Sequence, residues 1–135
     1  MPLRVLLIAV GGGLGSIARY ALGRIWPDGA HRLPQTTLGI NLLGAFLLGM
    51  LVIAVTETWN APDWLRPFLG TGILGGFTTF STFAVQAQQL PVEPALTYLA
   101  ASIVGGLLLA TAGMAVMRRL APRAIRFFDL DPDLP

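Results

Sequence analysis

The sequence predicts an all-α membrane protein of four transmembrane helices with a broken third helix. Three observations carry this. Apolar residues make up 54 % of the 135 residues and charged residues only 12 %, and the mean hydropathy is +0.68. A soluble domain is about one quarter charged, so this chain has too few polar side chains to cover a water-facing surface. Four apolar runs each approach the roughly 20 residues that a bilayer core of about 30 Å demands. The segments between those runs carry the breakers and charges.

The first run extends from Leu3 to Leu22. Arg4 near its start, followed by an apolar stretch, resembles the start of a signal peptide. Three further apolar runs and no soluble domain follow, so the first run is expected to stay in the membrane. The second extends from Thr36 to Val55, the third from Trp64 to Gln89 and the fourth from Ala95 to Met117. They are joined through Trp26-Pro27-Asp28-Gly29, through Glu57 to Pro62, and through Pro91-Val92-Glu93-Pro94. The chain therefore divides into a four-helix domain, residues 1–117, and a polar, proline-bearing tail, residues 118–135.

Charge narrows the class further. The basic pI of 9.9 comes from nine arginines, with no lysine. They sit mostly at the ends of apolar runs as membrane flanks rather than as a nucleic-acid surface. With no cysteine, disulfides and thiolate metal sites are excluded. His31 falls in a loop as a solvated histidine. All seven acidic residues fall in connections or the tail. A proton-coupled carrier needs a carboxylate inside the membrane, so a drug/proton antiporter is disfavoured. No nucleophile–base pair, metal motif or phosphate loop points to an enzyme.

Four spans put both termini on one side, with Arg4, Arg66, Arg118, Arg119, Arg123 and Arg126. The other side holds Arg24 and Arg32, with Arg19 just inside the first helix. The arginine bias favours a cytoplasmic N-terminus only if the tail counts fully, which leaves insertion in both orientations open. Four helices cannot enclose a pore alone, so an oligomer is expected. Small residues recur at four-residue spacing at Gly11 and Gly15, Gly12 and Ser16, Ala45 and Gly49, Gly72 and Gly76, and Ala101 and Gly105. Such pairs let helices approach closely, either within a subunit or across a dimer.

The third run is the unusual one. Gly70, Gly72, Gly75 and Gly76 fall within seven positions, each costing about 1 kcal/mol against alanine in a helix interior. Threonines follow that compete for backbone groups. An interruption is expected from Gly75 to Thr78, either as a close-packing device or as an ion site whose freed carbonyls line a cavity. Beyond it, Phe77, Phe80 and Phe83 are three residues apart and align along one side of a helix. They are interleaved with Thr78, Thr79, Ser81 and Thr82. Ring edges carry partial positive charge, so this face suits either a packed core or a small anion. On the second run Thr37 and Asn41 lie one turn apart, and a membrane asparagine requires a partner, whether another helix or an ion path. On the fourth run Tyr98 and Ser102 are similarly spaced. Nearly all these groups donate hydrogen bonds, which suits dehydrating an anion. Arg19 either draws anions to a vestibule or snorkels to the interface.

At these residues the chain resembles the Fluc/CrcB family of fluoride channels. Three blocks carry the resemblance, in the family's order: Gly11-Gly12-Gly13-Leu14-Gly15-Ser16-Ile17-Ala18-Arg19-Tyr20, Thr37-Leu38-Gly39-Ile40-Asn41-Leu42-Leu43-Gly44, and Gly72-Ile73-Leu74-Gly75-Gly76-Phe77-Thr78-Thr79-Phe80-Ser81-Thr82-Phe83. The third is the most specific. The resemblance implies an antiparallel dual-topology homodimer in a bacterial inner membrane, with two passive fluoride pathways that export the ion and confer fluoride resistance. It implies that Phe80, Phe83 and Asn41 line the pathway, with Ser81 and Thr82 beside the rings. Thr37, Tyr98 and Ser102 form a polar track, although Gly106 stands where a further hydroxyl would continue it. It also implies a structural sodium (Na+) at the dimer axis, held by the carbonyls of Gly75 and Thr78. The partners are then fluoride, lipid and a second copy of the chain. Ala84 and Gln86 depart from the serine and glutamate of many members. The alternatives are a small efflux carrier for another substrate and a non-conducting scaffold.

Overall fold

The computed structural model describes residues 2–29, 32–58 and 62–120. His31, Arg123, Arg126 and the acidic residues of the tail lie outside them. Among the described residues every regular element is helical: α1 (Pro2–Ile25), α2 (Gln35–Ile53) with a π-helical continuation (Ala54–Thr58), a π-helical segment (Pro67–Leu74), α3 (Gly75–Phe77), α4 (Phe80–Gln89) and α5 (Val92–Leu120). Four stretches are long and apolar enough to cross a membrane: Pro2–Ile25, Gln35–Glu57, Pro67–Gln89 and Val92–Leu120. They coincide with the four expected runs to within a few residues. Arg118 and Arg119 are still helical, so α5 outlasts the expected domain boundary. Glu57 closes the second stretch and pairs with Arg118, whose Nη2 lies 2.8 Å from its carboxylate. At the same end, Arg4 lies 3.8 Å from Asp63.

The helices pack as two close pairs, α1 on the third stretch and α2 on α5. Glycine makes both contacts possible. A Cβ at Gly11 would sit 2.7 Å from the Phe68 carbonyl oxygen, and one at Gly15 would overlap the Ile73 carbonyl. Gly76 lies equally tight on the Gly12 backbone. In the second pair Gly49 abuts the backbone of Ala110, and Gly113 abuts that of Phe46. Lipid tails are as apolar as leucine, so association in the bilayer rests on such close backbone approach rather than on burial from water. Most of the small-residue spacing is thus consumed within one chain. Gly12, Gly13, Gly23, Gly39 and Gly106 have open space where a Cβ would stand.

The third stretch differs from its expected course. Gly75 and Gly76 do not leave the helical conformation. The glycine-rich turns ahead of them widen instead, with the Gly75 N–H reaching the Gly70 carbonyl five residues back, the π pattern often found at functional sites. The backbone leaves the helix later. Thr78 (φ −77°, ψ 158°) and Thr79 (φ −146°, ψ 125°) are extended, and α4 then begins. Threonine chemistry explains the place. Thr78 Oγ1 donates back to the Leu74 carbonyl at 2.9 Å. Thr79 Oγ1 accepts from the Thr82 N–H at 3.2 Å, which caps the new helix.

Candidate functional site

The two extended residues free backbone groups that lipid cannot satisfy. Asn41 on α2 meets them. Its Nδ2 donates to the Thr79 carbonyl at 2.9 Å, and its Oδ1 accepts from the Thr79 N–H at 2.9 Å. A carboxamide offers two N–H donors, so one amide hydrogen of Asn41 is left over. The N–H groups four residues beyond Gly75 and Thr78 are committed elsewhere, Thr79 N–H to Asn41 Oδ1 and Thr82 N–H to Thr79 Oγ1, so neither takes part in a helical bond back to those carbonyls.

Beside this junction runs an open groove of about 420 Å³, lined by Asn41, Gly75, Thr78, Phe80, Phe83 and Ser102, among others. The Phe80 and Phe83 ring centroids lie 5.7 Å apart at 47°, and the Phe83 and Tyr98 rings lie 5.1 Å apart at 49°. Phe80 is 79 % exposed, whereas Phe83 is buried at 8 % and Tyr98 at 0 %. Ser102 Oγ is buried without a hydrogen-bond partner. The groove therefore combines aromatic faces and edges with a few uncommitted donors. Among the described residues no carboxylate lines it.

A second cavity of about 510 Å³ lies toward the connection between α1 and α2, with Arg19, Asp28, Thr37, Thr82 and Gln86 in its wall. Thr79 lines both spaces. Arg19 Nε donates to the Gly76 carbonyl at 3.2 Å, and Ser16 Oγ donates to the same oxygen at 3.4 Å. A cation at the end of α3 complements the carbonyls exposed there. Asp28 caps α2 from a distance, accepting from the Thr36 N–H at 2.8 Å and the Thr37 N–H at 3.2 Å.

The expected site residues thus fall into groups. Asn41, Phe80, Phe83, Ser102, Gly75 and Thr78 share the groove. Arg19, Thr37 and Thr82 share the second cavity. Tyr98 lies behind Phe83. Ser81 is exposed and lines neither space, with its hydroxyl 3.4 Å from Thr79 Oγ1. Phe77 does not share a face with Phe80 and Phe83: the extended pair intervenes, and Phe77 is buried at 8 %. The hydroxyl hydrogen of Thr37 is taken by Asp28 at 2.9 Å, and that of Tyr98 by Gln86 Oε1 at 3.1 Å. In this conformation neither donates toward the groove. Sequence reasoning missed Asp28 altogether. It stands several residues before α2, and the helix's own N-cap position is Pro34, so no local capping pattern announces it.

The profile of the CrcB-like protein family, described as Camphor Resistance (CrcB), matches residues 6–114. The chain belongs to this family. It is 45 % identical over 103 residues to "Fluoride-specific ion channel FluC 2" of Streptomyces avermitilis, a match covering 73 % of this chain and 65 % of that protein. It is 40 % identical over 124 residues to "Fluoride-specific ion channel FluC" of Agrobacterium fabrum, covering 87 % and 98 % of the two chains. It is also 44 % identical over 124 residues to "Fluoride-specific ion channel FluC 1" of Rhodococcus jostii, covering 90 % and 92 %. The matched residues span all four membrane-length stretches and the groove between them. A CrcB-like chain of this kind is a multi-pass membrane protein.

Proposed function

We propose that this CrcB-like chain is a fluoride-selective passive channel that lets fluoride leave the cytoplasm. The observation that carries the reading is one groove holding Phe80, Phe83, the spare amide hydrogen of Asn41 and the Ser102 hydroxyl, which among the described residues has no partner there and no carboxylate beside it. Such a lining dehydrates an anion through weak, distributed donors and ring edges, so the ion is held without being trapped. The matched relatives' names point to the same ion.

The reading extends to the assembly. The groove is open along one side and Phe80 is 79 % exposed, so a second copy in the opposite orientation is the natural cover. An antiparallel dual-topology homodimer then has two pathways, each lined by both subunits, in the inner membrane. The third span is read as a helix broken for this purpose. The carbonyls of Gly75 and Thr78, whose helical N–H donors from Thr79 and Thr82 are committed elsewhere, fit a sodium ion at the subunit boundary. Hard oxygens suit such a cation, and the ion would neutralise facing carbonyl dipoles.

The test is electrogenic efflux from liposomes holding the purified protein. Fluoride should leave with little accompanying chloride. Well-formed proteoliposomes that release no fluoride would refute the channel.

A further inference from the structure

Asp28 is the one carboxylate among the described residues in the wall of the second cavity, and the groove chemistry assigns it nothing. Its oxygens accept four hydrogen bonds. Oδ1 accepts from the Thr36 N–H at 2.8 Å. Oδ2 accepts from the Thr37 N–H at 3.2 Å, from Thr37 Oγ1 at 2.9 Å and from Gln86 Nε2 at 3.2 Å. An ionised carboxylate only accepts, so the Gln86 amide must turn its Nε2 toward Asp28. Its Oε1 then faces Tyr98, and the Tyr98 hydroxyl donates to it at 3.1 Å. The Tyr98 ring in turn backs Phe83, with centroids 5.1 Å apart. One charge sets the direction of every bond in the chain Asp28–Gln86–Tyr98, and that chain ends on a ring of the groove.

We infer that Asp28 is a positioning residue of the ion pathway, acting through Gln86 to fix the Tyr98 hydroxyl and to hold the Tyr98 ring behind Phe83. The inference rests on the channel reading and goes beyond it. An asparagine at position 28 has a single acceptor oxygen, which the Thr36 and Thr37 N–H groups claim. Its NH2 then faces Gln86, whose amide must reverse and present Nε2 to Tyr98. The tyrosine hydroxyl becomes an acceptor, and its own proton is left without a partner at a site that is 0 % exposed, a costly arrangement. A glutamate at position 86 repairs this. One of its oxygens accepts from the new amide and the other accepts from Tyr98, so the original bond directions return. The same glutamate opposite an unchanged Asp28 sets two carboxylates against each other.

Fluoride efflux from proteoliposomes, measured for the wild type, Asp28→Asn, Gln86→Glu and the double variant, tests this. Each single substitution is expected to lower the flux at least about fivefold, as loss of one positioned hydrogen bond does. The double variant is expected to return to within about twofold of the wild type by the same accounting. A helix cap lost for structural reasons alone would not be restored by a change at position 86. Wild-type flux with multiplying losses in the double variant overturns the proposal and leaves the channel standing. Absence of wild-type flux removes both. If Asp28→Asn does not elute as a folded protein, Gln86→Leu replaces it, since it cuts the link to Tyr98 while sparing the bonds from Asp28 to α2. It must lower the flux similarly, and wild-type throughput in that variant overturns the proposal.

Discussion

Asn41 holds both backbone groups of Thr79, its Nδ2 donating to the carbonyl and its Oδ1 accepting from the N–H, each at 2.9 Å. This pair replaces the helical bonds that the extended turn gives up, and it does so in the wall of the groove. One side chain thus closes the turn and also lines the groove. Asn41→Ala leaves a backbone donor and acceptor unpaired, a loss of about 1–3 kcal/mol each. It should lower the melting temperature in detergent and also reduce fluoride efflux. Wild-type stability in this variant would show that the turn is satisfied by other groups.

Thr79→Val separates the hydroxyl from the backbone. The bonds to Asn41 survive, but the cap on the Thr82 N–H is lost, which costs about 1 kcal/mol. Because Thr79 lines both cavities, the flux should fall further than so small a loss of stability accounts for. Paired melting and efflux measurements check this; flux unchanged at reduced stability would take Thr79 out of the path.

Phe80→Ile and Phe83→Ile should both depress fluoride efflux. Phe80, at 79 % exposed, contributes little to packing within the chain, whereas Phe83 at 8 % is packed against Tyr98. The first variant should therefore melt like the wild type and the second at a lower temperature. Full throughput in either would remove that ring from the pathway.

Gly15→Ala is expected to abolish the fold or to cost several kcal/mol, more than the roughly 1–3 kcal/mol of ordinary overpacking, because its Cβ would strike the Ile73 and Phe77 backbones. Gly106→Ser, with open space at that position, should fold normally. Size-exclusion profiles after detergent extraction distinguish them. A normal Gly15→Ala profile would mean that α1 and the third stretch separate more easily than their packing indicates.

A single cysteine introduced into the tail should be labelled from both sides of the membrane if the chain inserts in both orientations. The chain holds no native cysteine, so the signal is unambiguous. One-sided labelling would contradict dual topology and leave the channel chemistry untouched.

Sequence alone determined the solvent and the number of spans, because hydropathy and bilayer thickness are properties of composition and length. It also picked out the residues of the groove, since an asparagine and a run of hydroxyls and phenylalanines are anomalous in a membrane whatever they contact. Tertiary structure decided the rest. Four glycines and the threonines after them pointed to an interruption from Gly75 to Thr78, yet Gly75 and Gly76 stay helical and the chain turns extended only at Thr78 and Thr79. A glycine's cost in a helix is offset when its missing Cβ admits a second backbone, as at Gly76 on Gly12, and spacing does not reveal that contact. Likewise Thr37 and Tyr98 read as free donors along a polar track. Only the fold brings Asp28 and Gln86 to them and commits their hydroxyl hydrogens elsewhere. A hydrogen bond between residues far apart in the chain has no periodicity, so the direction in which each donor points is settled only when the helices pack.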